Sequence, residues 1–153
     1  MLAAIRPDSW NIPLFLHVLG ASVLVGALVT AVSAELLGWT RDSARYVRLA
    51  FRTLLFVGVP AWFAMRVGAE WIYAKESWDK VDNEPAWLGV GYITADLGGL
   101  LLLTSVILAG LATRRLARAD GGPSILARSA GVLSVIVLLI YLVALWAMTA
   151  KPS

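Results

Sequence analysis

The chain contains no cysteine and only one histidine, His17, among its 153 residues. Without cysteine it can form no disulfide, thiolate metal site, iron–sulfur cluster or cysteine nucleophile. Charged residues are also scarce, at 15% of the chain against about 25% in soluble domains. Apolar residues make up 59%, above the roughly 45–50% of soluble proteins. This composition predicts one integral membrane domain over residues 1–153.

Four long apolar stretches account for most of the sequence. A helix needs about 20 mostly apolar residues to cross the hydrocarbon core of a bilayer. The stretches that meet this length are 12–38, 49–73, 87–113 and 125–148. Pro60 lies inside the second and predicts a local kink. We therefore predict an all-α membrane protein, an antiparallel bundle of four transmembrane helices.

The basic residues are concentrated in two of the three connections. The arginines near the first connection are Arg41, Arg45 and Arg48, and those near the third are Arg114, Arg115 and Arg118. By the positive-inside rule these connections are cytoplasmic, so both termini lie outside. The predicted location is a bacterial inner membrane. Because the arginines lie between apolar runs, they indicate topology and not nucleic-acid binding.

Small residues at four-residue spacing predict where the helices pack. Membrane helices associate through close packing of small side chains, since lipid is as apolar as leucine. The predicted stripes are Ser22, Gly26, Thr30 and Ala34; Gly91, Ala95 and Gly99; and Ala130 with Ser134. The same glycines could instead admit a ligand close to the backbone.

Polar side chains inside the spans are candidates for function, because ionisable groups are costly in a membrane. Six of them fall in the outer third of the predicted bundle, and each helix contributes at least one. We predict that they form a ligand-binding site: His17, Arg66, Glu70, Tyr92, Asp96 and Tyr141. The same groups could equally be a structural network that fixes helix register. Glu35, near the inner end, is predicted to be structural and to reach Arg41 or the interface.

Two cofactors are compatible with the outer third of the bundle. The imidazole of His17 and the thioethers of Met65 and Met148 are ligand types that suit Cu(I). Haem is the second option, and a single histidine excludes bis-histidine ligation within one chain while allowing His or His–Met ligation. Copper and haem are therefore kept as alternatives.

The segment from Trp10 to Gly26 reads WNIPLFLHVLGASVLVG. Its Leu-His-x-Leu-Gly-Ala run resembles the first helix of a loose group of bacterial integral membrane proteins, which includes uncharacterised four-helix families and, more distantly, the copper-resistance D (CopD-like) type. The resemblance implies several short-looped helices, with His17 in the place of the family histidine. Metal- and haem-binding members carry further histidines on later helices, and this chain has none.

Three functions compete at this level, and no catalytic residues are recognisable. The first is a non-enzymatic multi-pass protein that handles a small ligand, ion or metal in the outer third of the bundle. The second is an accessory subunit that packs against a larger membrane complex, or against its own copies, with a purely structural polar cluster. The third is a redox protein associated with haem or quinone. The lipid bilayer is the predicted partner in all three, and nucleic acid in none.

Overall fold

The computed structural model describes residues 8–41, 44–77, 85–116, 118 and 125–150. Nearly all of them are helical. The first three elements are a 3₁₀ turn at Asp8–Trp10, helix α1 at Asn11–Arg41 and helix α2 at Ala44–Thr53. A π-helical stretch, Leu54–Gly58, joins α2 to α3 at Val59–Glu76, and the chain continues through α4 at Ala86–Leu116 and α5 at Ile125–Ala150.

Four helical segments are long and apolar enough to cross a membrane. The shortest, α5, has 26 residues and therefore spans about 39 Å, more than the ~30 Å hydrocarbon core. Each observed helix contains the predicted apolar stretch and extends beyond it at one or both ends. The prediction of an all-α protein with four long apolar helices is confirmed. The helices are longer than the predicted stretches because helical backbone hydrogen bonds continue past the last apolar residues.

The disruption predicted at Pro60 takes the form of the π-helical stretch immediately before it. The N–H of Val59 donates to the carbonyl of Leu54, five residues back, instead of four. A proline in a helix lacks an N–H and its ring collides with the carbonyl four residues earlier. The wider π turn accommodates that collision within one continuous helix from Ala44 to Glu76.

The core is a cluster of aliphatic side chains in the middle of the four segments. Its fully buried members are Leu24, Leu28, Leu54, Leu102 and Val137. Helix α1 packs mainly against α2, α3 and α5. Helix α4 packs mainly against α5 and α2. In contrast, α3 and α4 make few contacts with each other. The second and third transmembrane segments are therefore packed at the α2 end and separated at the α3 end.

Helices α1 and α3 approach closely through two glycines. A Cβ on Gly68 would lie 2.5 Å from the backbone nitrogen of His17, and one on Gly20 would collide with the backbone of Met65. Only a residue without a side chain fits at such a backbone-to-backbone contact. Neither glycine belongs to the stripe that the spacing predicts for the first helix.

The predicted stripe on the first helix is wrong for three of its four members. Ser22, Gly26 and Thr30 are exposed, and a Cβ on Gly26 would meet nothing within 4 Å. Only Ala34 of that stripe is buried. The stripes on the later helices are confirmed, since the five residues Gly91, Ala95, Gly99, Ala130 and Ser134 are all buried.

Several sequence predictions concern parts of the chain outside the described residues. These include the side chain of Arg41, both termini, and most of the connection between the second and third segments. Arg45, Arg48, Arg114, Arg115 and Arg118 are described, and all five are exposed.

Replacing Gly68 with alanine is expected to destabilise the protein, because its Cβ would press on the backbone of His17. Overpacking a tight contact costs about 2 kcal/mol. Thermal unfolding of the purified protein in detergent should show a clearly lower midpoint. The matched control is Gly26→Ala, which meets open space and should not lower the midpoint. Equal midpoints for the two variants would contradict the close α1–α3 contact.

Candidate functional site: a cavity between four helices

A cavity of about 710 Å³ lies between α1, α3, α4 and α5. Its walls come from the N-terminal halves of α1 and α4 and the C-terminal halves of α3 and α5. We call this end of the molecule the cavity half, and the opposite end, which holds the exposed arginines, the arginine half. Most of the wall is aliphatic, and the polar side chains form a minority of it.

Four of the six predicted ligand-binding residues line this cavity: His17, Arg66, Tyr92 and Tyr141. They come from four different helices, as the convergence of polar groups predicts. The other two, Glu70 and Asp96, do not line the wall, and their side chains are 53% and 63% exposed. Both contact Arg66 from its outer side. The structure therefore places four of the six on the wall of the cavity and the other two at its rim, where they contact Arg66.

His17 is fixed by the α1–α3 contact. Its Nδ1 lies 3.0 Å from the backbone carbonyl oxygen of Met65. A carbonyl can only accept, so Nδ1 carries the hydrogen and donates it. In the neutral imidazole, Nε2 then holds the lone pair. His17 therefore offers one acceptor nitrogen, the kind of atom that binds a metal or accepts a hydrogen bond from a ligand.

Arg66 connects α3 to α4 at the rim of the cavity. Its guanidinium pairs with Glu70 on the next turn of α3, at 2.5 Å, and with Asp96 on α4, at 3.1 Å. It also lies over the ring of Tyr92, 4.7 Å from the centroid, which favours a cation. One positive charge faces two carboxylates, so the cluster carries no uncompensated positive charge.

Trp62 holds α3 and α4 apart by the width of an indole ring. Its ring lies where a Cβ on Gly99 would be, and its Nε1 donates to the carbonyl of Ala95 at 3.0 Å. Trp62 is not among the residues predicted from the sequence. The available signal was a tryptophan in the middle of a span together with the Gly98–Gly99 pair, since a buried indole needs both space and an acceptor.

Tyr141 is the most buried of the predicted site residues, with 5% of its surface exposed. Its ring packs against Gly98 of α4, and its hydroxyl lies next to the cavity without a recorded acceptor. A buried hydroxyl that donates to nothing is costly in an apolar interior. The hydroxyl is thus available to donate to a molecule in the cavity.

Met65 and Met148, the predicted soft ligands, also line the cavity. Met65 is buried against Gly20, and the end of Met148 occupies the space beside Gly91. Within the described ranges, no three histidine, aspartate or glutamate side chains cluster as a metal site. A metal here would therefore need the thioethers of Met65 and Met148 together with His17, and copper remains a prediction.

Glu35 is buried in the arginine half, where its Oε1 lies 3.4 Å from the hydroxyl of Ser134 on α5. It faces α5 across Gly131, which leaves room for it. The predicted contact with Arg41 concerns a side chain outside the described residues and stays a prediction.

Comparison of the chain with protein-family models, with curated proteins and with solved structures finds no match.

Replacing Arg66 with methionine is expected to lower the stability, because it leaves Glu70 and Asp96 close together without a cation. The carboxylates are half exposed, so we expect a loss of about 1–2 kcal/mol, less than for a fully buried pair. Thermal unfolding in detergent measures it. Arg128→Met, at an exposed arginine of α5, is the matched control and should change little.

Adding Asp96→Asn to Arg66→Met should recover part of the lost stability. A double-mutant cycle without coupling between these positions would contradict the Arg66–Asp96 ion pair.

Proposed function

We propose that this protein is a multi-pass protein of the bacterial inner membrane that binds a small hydrophobic molecule with a neutral, hydrogen-bonding head group. The binding site is the cavity between α1, α3, α4 and α5. The observation that carries the proposal is the cavity itself, of about 710 Å³, with polar groups from four helices on its wall. A purely structural network would pack these side chains against one another and close the space.

The wall favours an apolar body for the ligand. Leu14, Val18, Ile72, Leu88 and Leu145 are among its aliphatic side chains. Small-molecule sites are mostly apolar, with a few polar groups that set orientation. A cavity of this size takes a molecule much larger than a single ion.

The polar groups favour a neutral head group. Arg66 is already balanced by Glu70 and Asp96, so it offers little net attraction to an anion. The hydroxyl of Tyr141 needs an acceptor, and the Nε2 of His17 can accept a hydrogen bond from a donor. Carbonyl and hydroxyl groups meet these two needs without carrying charge.

The separation of α3 and α4 in the cavity half gives a route from the lipid. These helices make few contacts with each other, and their main links there are the side chains of Trp62 and Arg66. A hydrophobic molecule dissolved in the bilayer reaches the cavity sideways between them. Tyr73 and Tyr92, which stack edge to face 5.6 Å apart, lie on this route.

The orientation follows from the exposed arginines. Arg45 and Arg48 begin α2, and Arg114 and Arg115 end α4, all in the arginine half. Positive residues favour the cytoplasmic side. We therefore place the arginine half inside, the cavity half in the outer leaflet, and both termini outside.

We expect the purified protein in lipid nanodiscs to bind decylubiquinone, a neutral quinone with an apolar tail, in a thermophoresis titration. Decanoate and decyltrimethylammonium, which are charged, should bind more weakly. Tyr141→Phe should weaken quinone binding about three- to tenfold, since one neutral hydrogen bond contributes roughly 0.5–1.5 kcal/mol. Ala144→Phe should abolish binding by filling the cavity.

The control for this titration is Tyr46→Phe on α2, remote from the cavity. Binding that survives Ala144→Phe would mean that the molecule binds elsewhere. A Soret band, or copper bound in proportion to protein and lost in the His17→Ala, Met65→Ala double variant, would instead favour the haem or copper alternative at the same cavity.

A second function, an accessory subunit or a self-associating one, is favoured by the exposed face of α1. Gly26 and Thr30, one turn apart on α1, form a face of small residues on the outside of the bundle. The hydroxyl of Thr30 donates to the carbonyl of Gly26 at 2.8 Å, so it is satisfied without a partner and the face can meet another helix closely.

If this face joins two copies of the chain, Gly26→Ile should convert a dimer into single chains, because the added side chain blocks close approach. Blue native electrophoresis in a mild detergent, with chemical cross-linking, measures the change. Val29→Leu, at a neighbouring exposed position, is the control and should leave the dimer intact. A wild-type protein that runs as a single chain would count against self-association.

A further inference from the structure

A second polar site lies in the arginine half, apart from the cavity. Glu35 is only 3% exposed, and Ser105 and Ser134 are fully buried. These three side chains come from α1, α4 and α5. Glu35 Oε2 is buried without a hydrogen-bond partner. The carboxyl is thus enclosed by three helices in the apolar interior.

The oxygens of this site form a continuous chain. Glu35 Oε1 lies 3.4 Å from Ser134 Oγ, which lies 2.8 Å from Ser105 Oγ. Ser105 Oγ is in turn 3.2 Å from the carbonyl oxygen of Ala130, which can only accept. Ser134 Oγ lies 3.0 Å from the same carbonyl oxygen, so both serines share one backbone acceptor.

The hydrogen bonds available to the carboxyl of Glu35 are few and long. Each serine has one hydroxyl hydrogen, and each lies within reach of the same carbonyl oxygen of Ala130, at 3.2 Å for Ser105 and 3.0 Å for Ser134. Ser134 can donate either to that carbonyl or to Glu35, and its contact with Glu35 is the longer of the two, at 3.4 Å. An ionised carboxylate would therefore accept at most one long hydrogen bond, and its Oε2 none among the described residues. A protonated carboxyl carries no charge into the apolar interior and can itself donate to Ser134, which leaves the serine hydrogens to the carbonyl and to each other.

We infer that Glu35 holds a proton in the native protein, so that Glu35, Ser134 and Ser105 form a proton-binding site inside the arginine half. The proton joins α1 to α5 and α4 through hydroxyl hydrogen bonds. Removing it would leave a negative charge at the α1–α5 contact, where Gly131 packs against both Glu35 and Trp39. The packing of three helices is thereby coupled to occupancy by a proton.

Among the described side chains around Glu35, none is a cation paired with it. The ion pairs of the described residues belong to Arg66, in the cavity half. The described arginines of the arginine half are exposed: Arg45, Arg48 and Arg52 on α2, Arg114 and Arg115 on α4, and Arg128 on α5. The side chain of Arg41 on α1 lies outside the described residues. Tyr46 of α2 is half buried. On α1, Trp39 packs with Glu35 against Gly131, and its indole Nε1 is buried without an acceptor.

A metal cation does not fit the same place as well as a proton. Ser105 Oγ and Ser134 Oγ are at hydrogen-bonding distance from each other, 2.8 Å, with no space between them for an ion.

Infrared difference spectroscopy tests this inference. Subtracting the spectrum of Glu35→Gln from that of the wild type should show the carbonyl stretch of a protonated carboxylic acid at neutral pH, shifted in D₂O. Glu70→Gln, at an exposed and ion-paired carboxylate, is the matched control and should show a carboxylate band instead. Ser134→Ala should move the Glu35 band to higher wavenumber by removing its hydrogen bond, whereas Ser33→Ala, at an exposed serine of α1, should not.

The inference is overturned if the wild type shows no such band at neutral or mildly acidic pH. Loss of the band on adding sodium or potassium chloride at constant pH would also overturn it, because that result shows a cation site. Should Glu35→Gln fail to fold, titration of the band in the wild type serves instead. Labelling by dicyclohexylcarbodiimide, which reacts with protonated carboxyls in apolar surroundings, should then map to Glu35 and not to Asp96.

Discussion

The close contact of α1 with α3 fixes the positions of the other site residues. Two glycines, Gly20 and Gly68, allow the two backbones to touch. This contact brings His17 against the carbonyl of Met65 and thereby selects the ring nitrogen that carries the hydrogen. It also places Arg66, the residue after Met65, where its side chain pairs with Asp96 of α4. The geometry of the cavity half thus depends on two residues that carry no side chain.

On the opposite side of the cavity, large side chains keep two helices apart. Where glycines draw α1 and α3 together, the indole of Trp62 and the guanidinium of Arg66 hold α3 and α4 at a distance. The π turn before Pro60 lies where the second segment changes from packing against α4 to diverging from it. The cavity exists because one side of α3 is packed through backbone and the other through large side chains.

The two polar regions offset the cost of burying polar side chains in different ways. In the cavity half, Arg66 is paired with two carboxylates that remain at least half exposed, so its positive charge is compensated within the cluster. In the arginine half, Glu35 has hydroxyl neighbours and no cation among the described side chains, and a proton takes the place of a counter-ion. Both arrangements follow from the absence of water in the hydrocarbon region, where an unpaired charge or donor is costly.

The sequence by itself determined the four spanning helices, their approximate ends and the depth at which polar residues gather. Length and apolar content suffice for these, because the bilayer sets the length of a span. Only the tertiary structure decided which faces pack: Gly20 and Gly68 are in the interface, while Ser22 and Gly26 are outside it. Lipid and protein interior are equally apolar, so hydropathy has no periodicity that marks the buried face of a membrane helix. The rotation of each helix about its own axis decides which face is buried. The same rotation places Glu35 against Ser134 and divides the predicted site residues between the wall and the rim of the cavity.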